Sequence, residues 1–482
     1  MPGSHDSQFA DRSSQSRMRA HMAGGLSRRQ FLLGLTLSAA GIMIPTSVAT
    51  FAQPPRALAS LAEAGIPCAE TAQNVLDMAA TAEALAICLY QRVISTPGGL
   101  FSRLRADQQG YLRLALDEEQ FHYTYLLGRG AQPLATKFYF PNNSFGFSGF
   151  AAFLAAMDAI ETASVGLYLA AARRLAELGQ PVLTEIAAQI LGVEAEHRAI
   201  GRELAQNAPP PPNNLCFEPA TAACVIWAFD AFQPFLNAGT NSEGPFDLPD
   251  SAAVAAAVGS FTCTPAPAAT ATGCQEAIAD MLNIAAAAEA LGITFYYQGI
   301  QGSFFAQLSQ PQQWYLQAAL DEERNHLAFL QSKGAQPAAT SFFFPNSAFS
   351  DKQVFLSVLD TLENLFIGAY LAATRRFAEL GQPVLAEIAA QILGVESEHR
   401  ILGRIMGGQP KPHDLCMERA RYACLSDAGP EMAVFLQASA GRSHQASLPS
   451  EAAINTAIDR FGCAPVGVAA RPALRYVPLM RR

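Results

Sequence analysis

Along most of the chain apolar residues recur at intervals of three and four, the period of an amphipathic helix. One stripe runs Leu76, Ala79, Ala80, Ile87, Tyr90, Ile94, and a second runs Leu112, Ala115, Leu126. A third runs Leu154, Met157, Val165, Tyr168, and a fourth Leu183, Ile186, Ala187, Ile190. The pattern predicts long helices near 70–95, 106–129, 148–178 and 181–206, and again near 276–301, 310–333, 351–380 and 383–407. Gly-Gln-Pro at 179–181 and 381–383 ends one helix and starts the next, because Gly suits a helix end and Pro a first turn. The link between the second and third helices is longer and passes through Phe140-Pro141-Asn142 or Phe344-Pro345-Asn346. It leaves room for a long crossover in place of a hairpin. Shorter helical patterns close each half, at 248–261 and 448–461. The predicted fold class is all-α: two tandem four-helix bundles, each with a C-terminal helical extension.

The two halves repeat in sequence as well as in pattern. Residues 173–202 read RRLAELGQPVLTEIAAQILGVEAEHRAIGR, and residues 375–404 read RRFAELGQPVLAEIAAQILGVESEHRILGR. LDEEQFHYTYLLGR at 116–129 answers LDEERNHLAFLQSK at 320–333. A repeat of about 200 residues means duplicated domains and not a solenoid. A chain of 482 residues suits two domains. Their expected limits are 66–264 and 273–464, joined near 265–272, with Pro-rich breaks at 209–212 and 410–412. Residues 465–482, with four Arg and no acid, read as a flexible basic tail.

Composition changes the picture in three places. The formal charge is -9, of which the first 52 residues contribute +3 and the remainder about -12. Such an acidic body excludes duplex nucleic acid and anionic membrane surfaces as natural partners. Ser27-Arg28-Arg29-Gln30-Phe31-Leu32-Leu33 opens a short apolar run that ends near Ile44, which reads as an export signal over residues 1–52. Its adjacent arginines resemble a twin-arginine signal, with cleavage open between Ala49, Ala52 and Ala59. The run is short for a membrane span, so no membrane association is expected after cleavage. The resemblance implies a periplasmic or secreted protein that crosses the membrane already folded. The cysteines repeat too: Cys68, Cys216, Cys224 and Cys263 answer Cys274, Cys416, Cys424 and Cys463, leaving Cys88 alone. We expect two disulfides per domain, with the three possible pairings left open. No CxxC pair supports the rival reading, a zinc site. Cys88 reads as a small buried hydrophobe.

The apolar stripes are interrupted in phase by residues that do not belong in a dry core. Glu83 breaks the first, Glu119 and His122 the second, Glu161 the third, and Glu194 with His197 the fourth. The second half repeats the set as Glu289, Glu323, His326, Glu363, Glu396 and His399. Glu and His three residues apart lie about 300° apart around a helix, hence on one face. Buried carboxylates need a partner, and four of them carry a charge of -4 per unit that two divalent ions balance. One Glu from each of two helices and Glu-x-x-His from the other two is the ligand set of ferritin-like di-iron and di-manganese bundles. On these residues each unit resembles a ferritin-like domain, with ligand intervals similar to those of bacterioferritin and the rubrerythrin bundle. Tandem units behind an export signal resemble the ferritin-like proteins linked to stress and desiccation. The absent CxxC pair departs from a full rubrerythrin, which carries a rubredoxin module.

The resemblance implies one di-iron centre per unit, with manganese as the second choice, and iron(II) oxidation by oxygen or peroxide. It leaves standing a non-catalytic stress protein stabilised by metal, or a manganese enzyme that disproportionates peroxide. Tyr90 and Tyr296, two turns beyond Glu83 and Glu289, are the candidate catalytic residues, with Tyr168 and Tyr370 placed alike beyond Glu161 and Glu363. All four also fit as core aromatics. Asp117 and Glu118 read as flanking charges or as supports for an imidazole. Asp158 and Asp360 are rival ligands or outer acceptors. Glu196 and Glu398 lie about 200° around the helix from their ligand neighbours and are expected to face solvent. The two units are also candidates to pack as an internal dimer.

Overall fold

The computed structural model describes residues 68–205, 213–266, 273–409, 412–458 and 463. The export signal and its cleavage positions, the break at 209–212, most of the linker at 265–272 and the basic tail lie outside the described residues. The first unit is built on α1 (Ala72–Ser95), α2 (Ala106–Gly128), α3 (Phe150–Glu177) and α4 (Pro181–Leu204). A short helix, α5 (Ser251–Val258), closes it. The second repeats this as α6 (Ile278–Gln301), α7 (Gln310–Ser332), α8 (Lys352–Glu379), α9 (Pro383–Met406) and α10 (Glu451–Ile458). The helix limits follow local chemistry. Thr71 and Asn74 form a reciprocal capping box at the start of α1. Gly179, at φ 66°, ends α3, and Pro181 opens α4.

The aromatic links hold strands that the helical periodicity does not reveal. β1 (Lys137–Pro141) pairs antiparallel with β2 (Ser242–Asp247), and β3 (Ser341–Phe344) with β4 (His444–Ser447). Phe138 and Phe140, like Phe342 and Phe344, alternate inward and are buried. Each two-stranded ribbon ties a crossover to the tail of its own unit.

Helices α3, α6 and α8 are long and apolar enough to cross a membrane by length and composition. Their apolarity has another cause here. They are covered by neighbouring helices, and each carries one of the buried carboxylates Glu161, Glu289 and Glu363.

The two bundles meet through α4 and α9. Every residue from 184 to 201 is buried, and every residue from 386 to 403. This overturns the solvent-facing expectation for Glu196 and Glu398, because the opposite unit covers that side of each helix. Arg198 pairs with Glu398 at 2.9 Å and with Glu218 at 2.6 Å. Reciprocally, Arg400 pairs with Glu196 at 2.8 Å and with Glu418 at 2.6 Å. Arg375 to Glu185 and Arg173 to Glu387 flank the group. Gly192 is required where the second tail crosses: a Cβ there meets Glu418 Cγ at 2.5 Å and Ser397 Oγ at 2.8 Å.

The disulfides correct the expected pairing. Cys68–Cys224 and Cys274–Cys424 lie within units, whereas Cys216–Cys463 and Cys263–Cys416 join one unit to the other. The reason is that the segment after each bundle crosses onto the opposite unit. Four disulfides point to an oxidising compartment. Cys88 is free and buried, and burial pushes its thiol up to about 12, so it is inert at neutral pH.

Candidate metal centre

Helical phase and packing bring all twelve expected ligand residues together, six per unit, each fully buried or within 1 % of it. In the first unit Glu83, Glu119, His122 and Glu194 place ligand atoms within 4.8 Å of one another. Glu119, Glu161, Glu194 and His197 form a second such group. The two groups share Glu119 and Glu194, leaving Glu83 with His122 at one end and Glu161 with His197 at the other. In the second unit Glu289, Glu323, His326 and Glu396 form the corresponding group. His399 Nδ1 lies 3.2 Å from Glu396, 3.6 Å from Glu323 and 3.8 Å from Glu363, which completes the other end.

The donor set fits a pair of hard divalent cations. Glu119 Oε2, Glu161 Oε2 and Glu194 Oε2 are buried without a hydrogen-bond partner, as are Glu323 Oε2, Glu363 Oε2 and Glu396 Oε1. Burial, and then repulsion from Glu194, raises Glu119 and Glu161 well above the usual carboxylate range. Burial, with Glu323 and Glu396 respectively adding repulsion, does the same to Glu289 and Glu363. Burial alone would lower His122 and His326, but Glu83 and Glu289 outweigh it and raise both. Such a cluster holds protons where a cation is absent, and divalent cations would replace them. Oxygen and imidazole donors suit iron or manganese, and no thiolate is placed to favour a softer ion.

Every imidazole points Nδ1 at the carboxylates and hands Nε2 to an acceptor outside the cluster. His197 Nε2 lies 2.8 Å from Glu118 and His399 Nε2 2.7 Å from Glu322. His122 Nε2 lies 2.7 Å from the carbonyl of Cys416, and His326 Nε2 2.8 Å from that of Cys216. Of the two readings for the acids beside Glu119, Glu118 is therefore an imidazole support. Asp117 instead accepts the backbone N–H of Cys263. Asp158 and Asp360 are not ligands: they pair with Arg202 and Arg404 near the surface.

The tyrosines touch the cluster directly. Tyr90 donates to Glu161, Tyr168 to Glu83, Tyr296 to Glu363 and Tyr370 to Glu289. All four are fully buried or nearly so, and nothing in these contacts ranks Tyr90 and Tyr296 above the other pair. Periodicity alone misses the contribution of the tails. His413 reaches Glu118 and the carbonyl of Tyr111, and Asn213 donates to Glu322. The only trace in the sequence is the repeated Pro-Asn-Asn-Leu-Cys and Pro-His-Asp-Leu-Cys, which do not say which unit they meet.

A family model describing the ferritin-like domain matches residues 71–207 and again residues 278–406. The chain belongs to the ferritin-like family. Both matches cover a four-helix bundle of this ferritin-like protein and stop short of its cysteine-bearing tails. No curated protein and no solved structure matches the chain.

Proposed function

We propose that each unit binds two divalent metal ions, iron before manganese, and that the protein is an exported oxidase of iron(II) using oxygen or peroxide. The observation that carries this reading is the pair of four-residue groups sharing Glu119 and Glu194, which together would hold two ions side by side. Glu83 with His122 and Glu161 with His197 are the end ligands, mirrored by Glu289 with His326 and Glu363 with His399. Bound iron supplies redox chemistry, two ions together matching a two-electron reduction of oxygen or peroxide. The chain's own residues set the conditions. The buried stripes keep bulk water out, and Tyr90 and Tyr168 hold protons at Oη against Glu161 and Glu83. Tyr296 and Tyr370 do the same for Glu363 and Glu289. Export through the twin-arginine route is supported by Arg28-Arg29 and fits the disulfides.

A second reading, a non-catalytic protein held together by metal, is favoured by the complete burial of the ligands. Elemental analysis of exported protein purified without added metal, followed by oxygen-dependent oxidation of added iron(II), separates the two. We expect up to four metal ions per chain, and faster iron(II) oxidation than in buffer. Glu194→Ala with Glu396→Ala should abolish both. Metal retained in that variant would sink the ligand assignment, and oxidation at the uncatalysed rate by loaded protein would leave the structural reading.

A further inference from the structure

Each cluster of carboxylates and imidazoles is completed by the other unit. The carbonyl of Cys416 belongs to the second unit's tail, yet it accepts a hydrogen bond from His122 in the first. A carbonyl oxygen can only accept, so Nε2 of His122 carries the proton. That turns Nδ1, 3.3 Å from both Glu83 and Glu194, toward the carboxylates, where it would offer its lone pair to a bound cation.

The carbonyl is held by a closed circuit. Cys416 is joined to Cys263 by a disulfide, and its N–H donates to Thr264 O at 3.0 Å. Thr264 N–H donates in turn to Asp414 O at 2.8 Å. The N–H of Cys263 donates to Asp117, which lies on α2 five residues before His122. The path therefore leaves α2 at Asp117, crosses the disulfide, and returns to α2 at His122. The second unit repeats it: Cys463 N–H donates to Asp321, Cys463 is bonded to Cys216, and the Cys216 carbonyl accepts from His326. Phe217 also sets its ring edge-on to His326, 5.1 Å between centroids.

We propose that Cys416 and Cys216 are positioning residues whose carbonyls, clamped by the inter-unit disulfides, set the tautomer and orientation of His122 and His326. Each disulfide thereby tunes the metal affinity of one centre and not the other. This inference rests on the metal reading above. The physical basis is general: a group that accepts the second N–H of a ligand imidazole fixes its ring, and its loss costs 10- to 100-fold in metal affinity.

The test exploits the crossed arrangement. Manganese(II) binding is followed by the electron paramagnetic resonance of the free ion, in full-length oxidised protein carrying Glu396→Ala to isolate the first centre or Glu194→Ala to isolate the second. Cys263→Ser with Cys416→Ser should weaken the first centre by about 10- to 100-fold and leave the second unchanged. Cys216→Ser with Cys463→Ser should do the reverse. Cys68→Ser with Cys224→Ser removes an intra-unit disulfide that touches neither centre and should move neither affinity. In metal-free protein, nitrogen-15 histidine spectra should lose the protected His122 Nε2 proton in the first double variant only. Equal weakening of both centres by either substitution, or a His122 proton that survives it, would show a general folding effect and overturn the proposal. Parent protein that binds metal with affinities unmoved by either double variant overturns this inference alone. Parent protein that binds no metal overturns both it and the metal reading.

Discussion

Replacing Arg198 with Met tests the interface at its centre. Arg198 is fully buried and bonds two carboxylates from different places, Glu218 at 2.6 Å and Glu398 at 2.9 Å. Met keeps the length and apolar bulk of the side chain but removes the charge, leaving two carboxylates without their shared guanidinium. Removing one partner of a buried ion pair costs about 3–5 kcal/mol. The cost depends on pH, and its sign follows from Glu218. Burial raises Glu218 to about 7 even while Arg198 opposes it. Without the guanidinium it must rise further. A carboxyl raised in the folded state contributes stability that is intact below its unfolded value and lost as pH rises through the folded one. The Arg198→Met deficit should therefore be small near pH 4.5 and grow as pH rises past about 7. Urea denaturation of the oxidised protein, followed by circular dichroism at both extremes, measures it. Adding Glu218→Gln and Glu398→Gln should recover most of the loss, because the triple variant buries no unpaired charge. A deficit below about 1 kcal/mol at high pH, or one equal at both pH values, would refute the reasoning.

Two further substitutions probe the same interface. Gly192→Ala should lower the melting temperature, by about 1–3 kcal/mol in stability, because the new methyl displaces Glu418 and Ser397. On a solvated helix the same change gains about 1 kcal/mol, so a stabilised variant would refute the close approach. Glu387, beside Arg173, is raised by burial from 4.5 to about 7. Its stabilising contribution is present below about pH 4.5 and lost by about pH 7, so Glu387→Gln should gain about 3 kcal/mol on the parent between those values. A pH-independent difference in guanidinium unfolding would count against it.

Much of the site is legible in the linear chain because its causes are local. A helix that must bury one stripe announces its phase, and Glu83, Glu119, Glu161 and Glu194 stand out as charges on that stripe. The eight long helices, predicted from this period and from Gly-Gln-Pro, lie within about two residues of their observed limits, while the short closing helices are each three residues shorter at either end than expected. The ribbons escape notice because β1 and β3 are four or five residues long and their partners lie about a hundred residues away.

Glu196 marks the boundary between the two kinds of information. Its angle around α4 is a property of the helix and is correct in the sequence reading. Whether that side meets water depends on what packs there, and a second copy of the same helix does. The disulfides divide in the same way. The eight cysteines repeat evenly, so their spacing is equally compatible with pairing inside a unit or across units. Only the crossing of the tails selects Cys263–Cys416 and Cys216–Cys463. The sequence by itself determined the helices, the duplication and the carboxylates and imidazoles that share a face, since these depend on neighbours along the chain. The tertiary structure decided which surfaces are buried and which unit supplies the last hydrogen bond to each imidazole, since these depend on contacts between residues about one to three hundred positions apart.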